Sequence, residues 1–256
     1  MAYLDKSIAV VIPAYNEAQS IELVINELQA LQDDSNNSGK SQCLIDDIVV
    51  CDNASTDNTA LKAQSAGARV VHETVQGYGA ACLAAINALQ QPDIVVFVDA
   101  DHSVLVTETI SLLDCIIEGA DLTIGCRIAS KQQHQALTPQ QRFGNVLASY
   151  LIRLIWKQPV TDLGPFRAIK YTALKKLAMQ DQRFGWTVEM QVKAIQQGFI
   201  IREMPVTSLK RIGRSKISGT VTGTIGAALG IFGMIFRLYK QEKQQQISNT
   251  KHREDT

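Results

Sequence analysis

The chain has 256 residues, of which 46% are hydrophobic and 20% charged, so it is long enough to bury a sizeable core but short for two domains. Lys plus Arg and Asp plus Glu each number 25, which excludes the global basic field that suits nucleic acid. The five cysteines (Cys43, Cys51, Cys82, Cys115, Cys126) form no CxxC or other metal spacing and read as buried free thiols of a reducing compartment; no secretory signal precedes the first apolar run.

Ile8-Ala9-Val10-Val11-Ile12 predicts a strand over 7–12, stopped by Pro13 and followed by Ala14-Tyr15-Asn16-Glu17, where Asn16 can cap a helix. That helix carries Ile21, Val24, Ile25, Leu28 and Leu31 at helical spacing. Residues 32–42 read as an exposed loop. A second strand, 47–51, runs into Asp52-Asn53-Ala54-Ser55-Thr56-Asp57, with Ser55 or Thr56 as the next cap. A short third strand, 68–72, precedes Gln76-Gly77-Tyr78-Gly79 and a helix over 80–89. Cys82 stands where a dinucleotide fingerprint needs its third glycine, so Gly77 and Gly79 are read as a tight turn with backbone N–H groups near a phosphate, not as an NAD site.

The fourth strand, Ile94-Val95-Val96-Phe97-Val98, is apolar throughout and ends in Asp99-Ala100-Asp101. Ligands of open α/β sheets bind at the carboxyl ends of strands, and the i, i+2 spacing sends both carboxylates to one side. A hard divalent cation with phosphate oxygens would satisfy them; a solvated turn is the alternative. A helix over 107–118 and a strand over 121–126, ending in Arg127, follow. Four β-α units in a row predict an α/β fold with a mostly parallel, doubly wound sheet and flanking helices.

Beyond residue 128 the pattern changes. Residues 131–141 read as loop and 143–156 as an apolar helix. Gly164-Pro165 places Asp162 and Arg167 in a turn, and Glu189 lies near the apolar face of a helix over 186–197. A strand over 199–206 leads to a basic loop over 210–216. Residues 219–236 carry no charge, are rich in glycine and threonine, and have basic residues on both sides. Three readings compete for this apolar C-terminal helix, 219–239, in the order membrane-interface helix, short tail anchor, packing or dimer helix. The expected organisation is a catalytic domain over 1–218, that helix, and an unstructured polar tail over 240–256.

Eight stretches together resemble the family 2 glycosyltransferases of the GT-A fold, and within them the polyprenol-phosphate sugar transferases of the dolichol-phosphate mannose synthase group. They are Ile12-Pro13-Ala14-Tyr15-Asn16-Glu17, Cys51 to Asp57, Gly77-Tyr78-Gly79-Ala80-Ala81, Val98-Asp99-Ala100-Asp101, Gly125-Cys126-Arg127, Asp162-Leu163-Gly164-Pro165-Phe166-Arg167, Val188-Glu189-Met190, and Arg211-Ile212-Gly213-Arg214-Ser215-Lys216, and they run in the family's order. The resemblance implies that Pro13, Tyr15 and Glu17 line the nucleotide site and that Asp52 accepts a hydrogen bond from the base. It implies Mg²⁺ or Mn²⁺ on Asp99 and Asp101, and phosphate contacts by Arg127, Arg142 and Arg211. It also implies a segment around Ser215 and Lys216 that closes over the acceptor. Asn53 and Ser103 depart from the family's usual Asp and Gln.

The chemistry expected is an inverting transfer from a UDP- or GDP-linked sugar to a polyprenyl phosphate, in the cytoplasm at the inner face of a membrane. A lipid phosphate is already an anion and needs charge compensation more than a base. A hydroxyl acceptor would need a base, with Glu189 first and Asp162 behind it. The alternatives are therefore a soluble transferase with a hydroxyl acceptor, or an idle nucleotide-sugar-binding protein, which Asn53 and Ser103 would favour. Each site residue also has a plainer reading: Glu189 as a helix carboxylate paired with Arg or Lys, Asp162 as a turn residue bonded to its own backbone or to Arg167, and Arg142 and Arg167 as surface charges.

Overall fold

The computed structural model describes residues 6–33, 42–127, 139–213 and 221–254. A seven-stranded sheet runs in the order β5-β4-β1-β6-β8-β7-β9. Its strands are β1 (Ile8–Ala14), β4 (Asp47–Asp52), β5 (Arg69–His72), β6 (Ile94–Phe97), β7 (Leu122–Cys126), β8 (Arg167–Lys170) and β9 (Ile201–Pro205). β2 (Gln32–Asp33) and β3 (Gln42–Cys43) form a separate two-stranded antiparallel ribbon, so the ends of the expected 32–42 loop are paired. The helices are α1 (Ile21–Gln29), α2 (Thr59–Ser65), α3 (Tyr78–Asn87), α4 (Thr109–Ile117), α5 (Pro139–Trp156), α6 (Tyr171–Leu177), α7 (Trp186–Gln196) and α8 (Val221–Glu254).

Period-two alternation sends successive side chains of each strand to opposite faces. Ile8, Val10 and Ile12 of β1 join Ile94 and Val96 of β6 beneath α1 and α4, where Ile25, Leu28 and Leu112 pack. Ala9, Val11, Val95 and Phe97 face the opposite layer, built from α3, α6 and α7. There the Phe97 and Trp186 rings meet at 6.2 Å, tilted by 60°. Each fully buried aliphatic or aromatic side chain of these layers contributes about 1.5–3 kcal/mol. A third cluster joins α5, α7 and α8 through Ile152, Val192, Met234, Ile235 and Leu238.

The sheet is mostly parallel, as expected, but β8 is an unanticipated exception, antiparallel to both β6 and β7. Its four residues, Arg-Ala-Ile-Lys, are too short and too polar at their ends to read as a strand. Two buried neighbours make it one. Arg167, expected in the turn, is consequently the first residue of a central strand and is 1% exposed. Residues 240–254, expected to be unstructured, continue α8. Tertiary contacts hold that extension: the Glu242 carboxylate accepts from Trp156 Nε1 at 2.6 Å and from Gln196 Nε2 at 3.0 Å. Cys51, Cys82, Cys115 and Cys126 are buried free thiols, whereas Cys43 is exposed. Among the described residues no helix is long and apolar enough to cross a membrane.

Candidate active site

Parallel register brings the ends of three strands to one edge. Ala14 pairs with Asp52 across β1 and β4, and Val98 N–H donates to Val11 C=O beyond the last β1–β6 pair. The loops that follow β1 and β4 are then locked together. The Asn16 side chain, expected as a helix cap, instead accepts from Thr56 N–H at 2.7 Å, and Ser55 Oγ accepts from Asn16 N–H at 2.9 Å. Thr59 Oγ1 accepts from Glu17 N–H at 2.8 Å. This holds Glu17 at the mouth of a pocket of about 370 Å³, whose walls include Pro13, Tyr15, Asn53, Tyr78, Asp99 and Asp101.

Asp52 is buried beside this pocket. Its Oδ2 lies 3.3 Å from His72 Nδ1, while its Oδ1 is buried with no hydrogen-bond partner among the described residues. Asn53 ties the neighbouring loop to the sheet edge. Its amide donates to Glu73 C=O and Val75 C=O, and its Oδ1 accepts from Gly77 N–H at 2.7 Å. The glycine turn corrects the expected phosphate cradle. Gly79 N–H donates to Arg183 C=O and Ala80 N–H to Gln182 C=O, so the first turn of α3 is satisfied by protein. A Cβ on Gly77 would overlap the Gln182 carbonyl oxygen, and one on Gly79 that of Asp181. These glycines allow close backbone packing, and the packed segment puts Arg183 and Phe184 into the pocket wall. Sequence reasoning missed both; Gly185 behind them was the available signal.

At the Asp99-Ala100-Asp101 corner, Tyr78 Oη donates to Asp99 at 3.0 Å. Burial and the neighbouring Asp101 carboxylate push the Asp99 carboxyl up to about 7. Ser103, considered as a further ligand, gives its backbone N–H to Asp101 Oδ1 at 3.0 Å. His102 adopts a left-handed φ of 55° and reaches the Glu27 carboxylate of α1 at 3.0 Å. After β9, residues 207–212 run alongside 101–105: Leu105 N–H donates to Thr207 C=O, Leu209 N–H to Ser103 C=O and Ile212 N–H to Asp101 C=O. That zipper delivers Arg211, whose terminal nitrogen lies 3.1 Å from Glu17 and 3.2 Å from Asp101. Its Nε is buried without a hydrogen-bond partner among the described residues. The two carboxylates and the pocket beside them suit a hard divalent cation whose remaining ligands come from phosphate and water. Among the described residues no group of three His, Cys, Asp or Glu side chains could hold a metal by protein alone.

The remaining expected residues that the structure describes are not among the pocket's lining. Asp162 pairs with Arg127, not with Arg167 or its own backbone. It accepts from Arg127 N–H at 2.6 Å, from Nε at 3.1 Å and from a terminal nitrogen at 2.8 Å. Burial raises the Asp162 carboxyl, but Arg127 outweighs it and holds the group below its ordinary value. Arg167 spends its guanidinium on Gly164 C=O, Thr187 C=O and Gln191 Oε1, and burial draws its pKa down to about 10. Glu189, 2% exposed, accepts from Gln180 N–H and Asp181 N–H and pairs with Lys193 at 2.7 Å. It braces the segment that carries Arg183. Arg142 is exposed on α5. Ser215 and Lys216 lie outside the described residues.

The fold and site thus define an α/β architecture with a pocket and an acidic corner at the carboxyl edge of its sheet. Residues 9–178 match the model of glycosyl transferase family 2. An uncharacterized glycosyltransferase of Mycobacterium tuberculosis is 34% identical over 230 residues, covering 90% of this chain and 98% of that one. The dolichyl-phosphate hexose transferase of Haloferax volcanii is 29% identical, covering 89% and 92%, and the polyprenol monophosphomannose synthase of Mycolicibacterium smegmatis 28%, covering 82% and 81%. Glucosyl-3-phosphoglycerate synthase from Mycobacterium tuberculosis, solved with Mn²⁺, UDP and glucosyl-3-phosphoglycerate, superposes with a TM-score of 0.70 at 20% identity, covering 93% of this chain and 81% of that one. The fold is GT-A, and the chain belongs to glycosyl transferase family 2.

Proposed function

We propose that this glycosyltransferase moves a hexosyl unit from a nucleotide sugar to a polyprenyl phosphate, with inversion, at the cytoplasmic face of a membrane. The similarity to dolichyl-phosphate and polyprenol-phosphate transferases supports the acceptor class. The observation that carries it is the state of the two candidate bases. Glu189 is occupied by two backbone N–H groups and Lys193, and Asp162 by Arg127, so neither is poised to deprotonate a hydroxyl. A phosphate acceptor needs no such base.

The donor would lie across the pocket with its base toward Asn53 and the neighbouring Asp52 and its diphosphate at Asp99 and Asp101. Those two carboxylates would hold Mg²⁺ or Mn²⁺, which supplies charge neutralisation for the leaving diphosphate. Arg183, which lines the same wall, would add positive charge beside the diphosphate. Arg211, which lines the pocket, would hold the acceptor phosphate through its guanidinium while a phosphate oxygen forms the new bond to the anomeric carbon and the carbon–oxygen bond to the diphosphate breaks. Arg127, fixed by Asp162, favours the ionised form of Asp99. Asn53 and Ser103 do not argue for an idle protein, since both are used to build the site.

The test is transfer from labelled nucleotide sugars, with Mn²⁺, into solvent-extractable polyprenyl-phosphate product. Expected are turnover, its loss in Asp101→Ala, and thermal stabilisation by one donor in proportion to the logarithm of its concentration. No stabilisation by any donor overturns the assignment, and transfer only to hydroxyl acceptors overturns its acceptor half.

A further inference from the structure

Four large apolar side chains of α5 face solvent: Phe143 (70% exposed), Val146 (48%), Tyr150 (54%) and Leu154 (62%). Their spacings of three, four and four residues place them in one stripe along a helix of about 27 Å. The opposite face, with Asn145, Ala148, Ser149 and Ile152, is the buried one. Large apolar side chains thus point outward as well as inward, where Ile152 packs, so the helix carries more apolar surface than its core contact uses. Contiguous exposed stripes of this kind mark contact surfaces. Charge narrows the partner. Residues 139–157 hold Arg142, Arg153 and Lys157 and no acidic residue. Arg142 and Arg153 are eleven residues apart, three helical turns, so both border the same side of the stripe.

We propose that α5 lies in the plane of an anionic lipid surface, with its apolar stripe in the headgroup–acyl boundary and its basic border on lipid phosphates. Phe143 and Tyr150 suit that depth, being aromatic and, in Tyr150, polar at the tip. A second copy of the chain fits less well, because an antiparallel pairing of two stripes would bring Arg142 of each copy toward Arg153 of the other. The surface differs from the one expected in the sequence. The apolar part of α8 turns Met234, Ile235 and Leu238 inward against α5 and α7 but also exposes Leu229 (71%) and Phe236 (67%), so α8 is the rival surface, and α5 is distinguished by four exposed apolar residues in one stripe.

Flotation of the full chain with phosphatidylcholine vesicles, with and without phosphatidylglycerol, tests this without requiring turnover, so its failure is distinct from failure of the proposed reaction. The wild-type chain should float with phosphatidylglycerol present and less without it. Phe143→Ser with Leu154→Ser should cut the bound fraction by about tenfold or more, since each removes a large apolar side chain from lipid. Arg153→Glu with Lys157→Glu should remove the phosphatidylglycerol dependence, and Leu229→Ser with Phe236→Ser on α8 should float as wild type. Tyr150→Trp should add blue-shifted emission on vesicle addition, a readout that survives if the serine pair folds poorly. No flotation of the wild-type chain, flotation unaffected by the serine pair, or loss caused by the α8 pair instead overturns the inference. So does a sedimenting dimer that the serine pair converts to monomer, because a second copy would then cover the stripe.

Discussion

Arg211 stands 3.2 Å from the Asp101 carboxylate, one of the two groups proposed to hold a divalent cation. The contact depends on the strap that hydrogen-bonds 207–212 to 101–105, two segments more than one hundred residues apart. On the proposed reading arginine and metal would compete for one carboxylate, and loading the metal would release the guanidinium toward a phosphate.

The competition gives Arg211→Ala an unusual profile. Mn²⁺ binding to the free protein should tighten by about two- to fivefold, the worth of a partly exposed ion pair. Transfer to polyprenyl phosphate should fall by about a hundredfold, because a charge-assisted contact to the acceptor is gone. Calorimetric Mn²⁺ titration beside initial rates checks both; weakened Mn²⁺ binding would refute the competition.

Asp99 should make the metal-free protein less stable as pH rises. Its folded value of about 7 lies above the roughly 3.9 of an unfolded aspartate, so the native state binds the extra proton between these limits. The stabilisation is complete below about pH 4, is lost as pH rises toward 7, and stays lost above it. Urea unfolding in the presence of a chelator should show this slope in wild type and a flatter one in Asp99→Asn.

The Arg127–Asp162 pair should be costly to break from one side. Asp162→Ala leaves a guanidinium and a backbone N–H without their acceptor and should lower stability by about 3–5 kcal/mol. Denaturant midpoints would report it, and a loss under about 1 kcal/mol would mean that Arg127 finds water or another partner.

Glu189→Gln separates brace from base. As a brace, the change removes a charged partner of Lys193 and weakens two N–H contacts, costing about 1–2 kcal/mol of stability with transfer to polyprenyl phosphate largely kept. As a base, it would cut the rate by about a hundredfold or more at unchanged stability. Thermal unfolding and kcat on the same preparation decide.

Gly79→Ala should push the 181–183 segment off α3, since a Cβ there overlaps the Asp181 carbonyl. Overpacking of this kind costs about 1–3 kcal/mol. Because the same segment carries Arg183 and Phe184 into the pocket, the KM for donor should rise more than kcat falls.

Much of this was legible in the chain. Buried runs such as 94–98 specify strands by composition alone, and Pro13, Asp52 and Asp99 stand where strands end, so the carboxyl edge and its acidic corner follow from local chemistry. What the sequence could not express were partners far away along the chain. β8 is a strand only because β6 and β7 flank it, and α8 persists past Lys240 because Trp156 and Gln196 hold Glu242. Gly77 and Gly79 looked like an anion cradle because their donors' acceptors, Asn53 and the 182–183 carbonyls, cannot be read from spacing. Asp162, Arg167 and Glu189 have the residue types of catalysis, and only the fold shows that each is buried beside fixed hydrogen-bond partners. Local sequence determined which groups stand at the sheet edge. Tertiary packing decided which of those groups, Asp52 Oδ1 and Arg211 Nε among them, are buried with no hydrogen-bond partner among the described residues.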